Sequence, residues 1–128
     1  MGMDIHGILQ IRESENSGWV TYDKYFHWFD YGTSRNSFLF AELRYCGKLS
    51  DDSETWIALR EKIEKDFDFD VEAVEDVDVV CLTLTLQEMK KIKGEYDSDS
   101  DMNKFIEEVE ELYDGNPNCF RIVYCFAW

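Results

Sequence analysis

Four residues near the start of the chain are suited to proton transfer or metal binding: Asp4, His6, Tyr25 and His27. Strand side chains repeat every two residues, so an extended segment puts Asp4 and His6 on one face. A hairpin that pairs Arg12 with Trp19 sets His27 opposite Asp4 and Tyr25 opposite His6. A carboxylate with two imidazoles can hold a divalent metal or orient a proton-transferring histidine. The chain has two histidines in all, and a structural role, with His6 satisfied by a carboxylate or a backbone group, competes with both chemistries. The pattern therefore marks a candidate ligand cluster. It assigns no catalytic residue and no metal ligand, and no cofactor is expected.

The second candidate is electrostatic. The formal net charge is −15, from 28 acidic and 13 basic residues in 128. Residues 51–78 hold twelve acids and three bases, and residues 95–114 hold nine acids and one base. The rest of the chain is close to neutral, so the field is localised. Asp66, Asp68, Asp70 and Glu72 alternate with Phe67, Phe69 and Val71. Glu107, Glu108, Glu110 and Glu111 fall opposite Phe105, Val109 and Leu112 on a helical wheel. Duplex DNA carries about one charge per 1.7 Å of axis, and a domain of this length has a radius of gyration of about 14 Å. Two acidic elements on one face would thus imitate a short stretch of phosphate backbone. The competing reading is a solvated, self-repelling surface that maintains solubility. Direct nucleic-acid binding is excluded on charge. The run Asp97-Ser98-Asp99-Ser100-Asp101 lacks the glycine at position six of an EF-hand loop.

Trp19, Tyr22, Tyr25, Phe26, Trp28, Phe29 and Tyr31 crowd seven aromatics into thirteen residues. Core packing, a protein-binding patch and base stacking each use such rings, but stacking surfaces add a basic groove. Lys24 and Arg35 are the only cations beside this run. Cys46, Cys81, Cys119 and Cys125 show no Cys-x-x-Cys spacing and lie in apolar patterns, as reduced structural thiols do. Phosphate loops, dinucleotide fingerprints, nucleophile elbows and His-Glu-x-x-His are absent. No apolar stretch approaches a membrane span, so a cytoplasmic location is expected.

These residues must be positioned by one α+β domain over 1–128. Alternating Ile5, Leu9 and Ile11, a polar Glu13–Gly18 turn and the aromatic run predict an N-terminal hairpin. That register also sets Ile5 opposite Phe26, Leu9 opposite Tyr22 and Ile11 opposite Val20. Asn36 can cap a helix through Phe38, Leu39, Leu43 and Cys46 that ends at Gly47. Trp56, Leu59, Ile63 and Phe67 predict a second helix starting near 51–53. A strand is expected over 77–84. Thr85 and Glu88 read as a capping box opening a short helix that Gly94 closes, with Lys90, Lys91 and Lys93 on its exposed last turn. A further helix carries Phe105 to Tyr113. Residues 119–128, apolar on both faces apart from Arg121, predict a strand in the middle of the sheet. The expectation is an antiparallel sheet of about four strands with three to four flanking helices.

The opening Met1-Gly2-Met3-Asp4-Ile5-His6 resembles a family of small proteins, widespread in bacteriophage and prophage genomes, that begin Met-Gly-Cys-Asp-Ile-His. Arg35-Asn36-x-x-Leu39-Phe40-Ala41-x-Leu43, Leu84-Thr85-Leu86-x-Glu88 and Arg121-Ile122-Val123-Tyr124 resemble further segments of that family, in the same order. Met3 departs from its cysteine, and Ala127-Trp128 from its polar ending. The resemblance implies phage origin and an accessory role, and no reaction. Together with the acidity it gives the working expectation: a non-enzymatic phage protein in the bacterial host's cytoplasm, whose acidic face binds and inhibits a host nucleic-acid-handling or defence protein. An anti-CRISPR or anti-restriction DNA mimic is the concrete form. The alternatives are a small-ligand, nucleotide or metal site at Asp4, His6 and His27, and an oligomerising protein that uses the aromatic hairpin.

Overall fold

The C-terminal run does become the middle of a sheet. The computed structural model describes residues 4–27, 37–50, 54–59, 61 and 81–127; for 4–6, 23–27, 37, 38, 40, 126 and 127 it describes the backbone. Strands β1 (Asp4–Ile11), β2 (Val20–His27), β3 (Lys48–Leu49), β4 (Leu82–Thr85) and β5 (Phe120–Ala127) form one antiparallel sheet in the order β2-β1-β5-β4-β3. Helices α1 (Ser37–Cys46), α2 (residues 54–59), α3 (Leu86–Lys93) and α4 (Asp101–Glu110) complete a mixed α+β fold.

The fifth strand comes from a turn tighter than the sequence suggested. Gly47 ends α1 by donating to the Leu43 carbonyl at 3.0 Å, and two residues of β3 follow at once. The Tyr124 hydroxyl donates to the same carbonyl at 2.5 Å. A Cβ at position 47 would fall on that hydroxyl, so only glycine permits the close pass.

The hairpin register is corrected. Ile11 does pair with Val20, but Ile8 pairs with Tyr25 and Gln10 with Thr21. Two extra residues on β2 make a bulge there, and every pair beyond it shifts by two. His27 therefore lies opposite His6 rather than Asp4, Tyr25 opposite Ile8 rather than His6, and Phe26 opposite Gly7 rather than Ile5. The predicted Leu9–Tyr22 pair falls inside the irregular stretch. Because the shift is an even number, each residue keeps its predicted face. Arg12 leaves the hairpin ladder altogether: its amide donates to the Cys119 carbonyl at 3.0 Å.

One face of the sheet carries the main core. Leu9, Leu82, Leu84, Phe120, Ile122 and Tyr124 pack against Leu39 and Leu43 of α1, Leu86 and Met89 of α3, and Met102, Phe105, Ile106 and Val109 of α4. Burying each such side chain contributes about 1.5–3 kcal/mol. The opposite face has a smaller cluster, Ile8, Val123 and Cys125 beneath Leu59, with Trp56, Ala58 and Cys81 at its margin. The predicted positions Asn36, Ile63, Phe67, Trp28, Phe29 and Tyr31, and 77–80 of the predicted strand, lie outside the described residues. Among the described residues, no helix is long and apolar enough to cross a membrane.

Candidate functional site

The acidic ridge of residues 95–114 is held in place by polar contacts that begin at α3. The Thr85 side chain accepts from the Glu88 amide at 3.1 Å, and Glu88 Oε1 accepts from the Thr85 amide at 3.0 Å. This is the predicted capping box, which stabilises a helix start by about 1 kcal/mol. Burial alone would raise the Glu88 carboxyl, but hydrogen bonds from Lys48 and Thr85 outweigh it and hold the pKa below the ordinary value. Gly94 then closes α3 as expected.

The loop after Gly94 is anchored from inside. Asn103, 3% exposed, donates through Nδ2 to the carbonyls of Tyr96 at 3.0 Å and Asp97 at 2.7 Å. Ser100 caps α4 by accepting from the Asn103 amide at 3.1 Å. The Tyr96 hydroxyl donates to a Glu42 carboxylate on α1, which raises the tyrosine pKa further than burial does. Burial likewise pushes the neighbouring Cys46 thiol up. Leu39, Glu42, Tyr96, Ser100, Asp101 and Met102 line a cleft of about 240 Å³ at this joint.

With its base so fixed, the loop presents Asp97, Asp99 and Asp101 to solvent, and α4 continues the ridge with exposed Glu107, Glu108 and Glu111. Glu110 is half-buried. Lys93 Nζ reaches Glu110 at 3.0 Å and Glu107 at 3.5 Å, and the bond to Glu110 leads the causes that raise the lysine pKa. Partial burial, with help from Glu111, raises the Glu108 carboxyl. Sequence reasoning missed the bridging by Lys93 and the contribution of the three aspartates. Their signal was the charge of the two segments, which does not say which side chains meet.

The position of these acids on the helix is informative. A helix C-terminus carries partial negative charge, which favours cations and disfavours carboxylates. The last turn of α4 contains no basic residue, and four glutamates occupy 107–111. Lys93 offsets Glu107 and Glu110, but helix stability does not account for Glu108 and Glu111. The other predicted acidic residues, Asp66, Asp68, Asp70 and Glu72, lie outside the described residues.

The predicted ligand cluster is brought together differently from the expectation. The backbone places His6 between His27 and Cys125, while Asp4 pairs with Ala127 and Tyr25 with Ile8. Among residues with described side chains, no three His, Cys, Asp or Glu come together as a metal-holding group.

At the other end of that face lies a site the sequence did not reveal. The guanidinium groups of Arg12 and Arg121 both lie over the Trp19 ring, 4.2 and 4.3 Å from its centroid. Arg121 also donates to Gln10 at 2.8 Å and Thr55 at 3.2 Å, and Arg12 to the Asn118 carbonyl. The two cations are thus spent on holding the hairpin to β5 and α2.

No protein-family model matches the chain, and no curated protein or solved structure is significantly similar to it.

Proposed function

We propose that this chain is a non-enzymatic phage accessory protein whose acidic ridge docks on the basic, nucleic-acid-binding surface of a host protein. A defence nuclease is the concrete target. The observation that carries the reading is the placement of exposed Glu108 and Glu111, beside the Lys93-bridged Glu107 and Glu110, at the negative end of α4, where they oppose the helix dipole. Acids kept where they cost stability fit a surface whose charge serves binding rather than folding. The resemblance of the opening and closing segments to phage proteins supports the biological setting. Docking through such a ridge accelerates encounter with a cationic partner and weakens with salt.

The test is capture from a bacterial lysate on the immobilised protein, with and without competing duplex DNA. A nuclease or other DNA-binding protein should be retained at low salt and displaced by the duplex. Glu108→Lys/Glu111→Lys, which leaves both Lys93 ion pairs in place, should abolish capture without loss of helicity. Retention of the same proteins by that variant would overturn the reading.

A further inference from the structure

Two of the four cysteines face each other across the sheet. Leu82 of β4 pairs with Tyr124 of β5, so the next position of that register sets Cys81 opposite Cys125. Both side chains fall on the face away from the main core: Cys125 is buried with Val123 and Leu59, and Cys81 packs against that cluster. The backbone fixes the type of pair. The Cys81 carbonyl accepts from the Ser50 amide at 3.0 Å, on the β3 side. The Cys119 carbonyl accepts from the Arg12 amide, so every second residue onward along β5, Cys125 included, turns its amide and carbonyl toward β1. Neither cysteine directs its backbone at the other, which makes this a non-hydrogen-bonded pair. Residues so placed lie about 4.5 Å apart at Cα, with their side chains drawn together. That falls within the span of about 4.4–6.8 Å that a disulfide bridges. All four cysteines are thiols in this structure.

We propose that Cys81 and Cys125 are a redox-active thiol pair, which a low-molecular-weight disulfide such as oxidised glutathione converts to one cross-strand disulfide. Cys81 is half-buried and Cys125 is 1% exposed, which orders the two steps. The Cys81 thiolate attacks oxidised glutathione, forming a mixed disulfide and releasing one glutathione thiolate. Cys125 then gives up its proton, attacks the Cys81 sulfur and releases the second glutathione. The two cysteine sulfurs lose two electrons in all, and one glutathione disulfide is reduced to two thiols. Burial, with help from Cys81, pushes the Cys125 thiol up to about 12, so the second step is the slower. The new bond closes a loop over 81–125, which contains α3, the acidic loop and α4. Such a link restricts the unfolded chain more than the folded one. The pair uses none of the carboxylates of 95–114, so it stands or falls apart from the docking ridge.

The experiment incubates the reduced full-length protein, folded, with oxidised glutathione, then blocks the remaining thiols and maps the peptides by mass spectrometry. The expected product carries a Cys81–Cys125 link, with Cys46 and Cys119 blocked as thiols. Its melting temperature should rise by roughly 5–15 °C and fall back on reduction. Cys81→Ser should form no internal link and should melt alike with and without oxidised glutathione. Cys125→Ser should instead retain one glutathione on Cys81, because nothing displaces it. Cys46→Ser, whose thiol meets the Tyr96 hydroxyl beside the main core, should link as the parent does. Cys125→Ser alters a buried position and is first checked for parental circular dichroism; if it misfolds, the peptide map of the parent and the melting of Cys81→Ser decide. A parent that keeps all four thiols, or that links Cys46 or Cys119 instead, would overturn the proposal.

Discussion

The two faces of the sheet are built on different principles. Beneath α1, α3 and α4 the sheet residues are Leu, Ile, Phe and Tyr, and the Tyr124 hydroxyl is satisfied by the Leu43 carbonyl. On the opposite face, apolar burial shrinks to a patch under α2. Cys125 belongs to that patch and pairs with His6 of β1, and Arg12, Trp19 and Arg121 meet at the other end of the face. The larger face carries most of the apolar burial, which leaves the other room for polar groups such as Gln10, Thr55 and Arg121 that hydrogen-bond one another. The acidic ridge belongs to neither face; it is the solvent side of the helix whose inner side completes the core.

That contrast can be broken in order of effect. Leu84→Ala removes a fully buried side chain from the large core and should cost in the upper half of about 2–5 kcal/mol. Leu59→Ala, equally buried on the inner side of α2, should fall in the lower half, because the smaller cluster around it can collapse into the cavity. Urea denaturation of both measures the difference, and equal costs would show that the faces do not differ. Trp19→Ala removes two cation–π contacts and should cost about 1–2 kcal/mol, read as a shifted midpoint with unchanged slope.

The smallest effect depends on pH. The Glu88 carboxyl titrates below its ordinary value in the folded protein. Its contribution is therefore fully present above the ordinary glutamate value of 4.5 and is lost as pH falls through the lowered one. Glu88→Gln should be less stable than the parent at neutral pH, and the gap should close in acid. A gap that stays constant would mean that the Lys48 and Thr85 contacts do not depend on the charge.

Much of this arrangement is legible in the residues themselves. Thr85 and Glu88 announce their capping box because the contact is local, three residues apart. The central place of β5 is legible because only a strand covered on both faces has reason to be apolar on both. The bulge in the hairpin is not: it depends on β1 pairing with β5 in unbroken register while β2 accommodates two extra residues. His6 was found as a candidate, yet for that reason its partner across the hairpin is His27 rather than Tyr25, and Cys125 meets it from β5. Cys125 could not be linked to His6 from spacing, since 119 positions separate them and only the sheet order joins their strands. Trp19 shows the same limit: its two arginines come from the end of β1 and from β5.

The acidic ridge offers the most direct measurement, because its acids oppose the helix that carries them. Glu111→Lys places a cation at the negative end of α4 and should raise stability by about 0.3–1 kcal/mol. Glu108→Lys/Glu111→Lys should at the same time lose the DNA-displaceable partner from a bacterial lysate. A stabilised variant that no longer captures a DNA-binding protein is the predicted result; one that captures it as the parent does would contradict the docking role of α4.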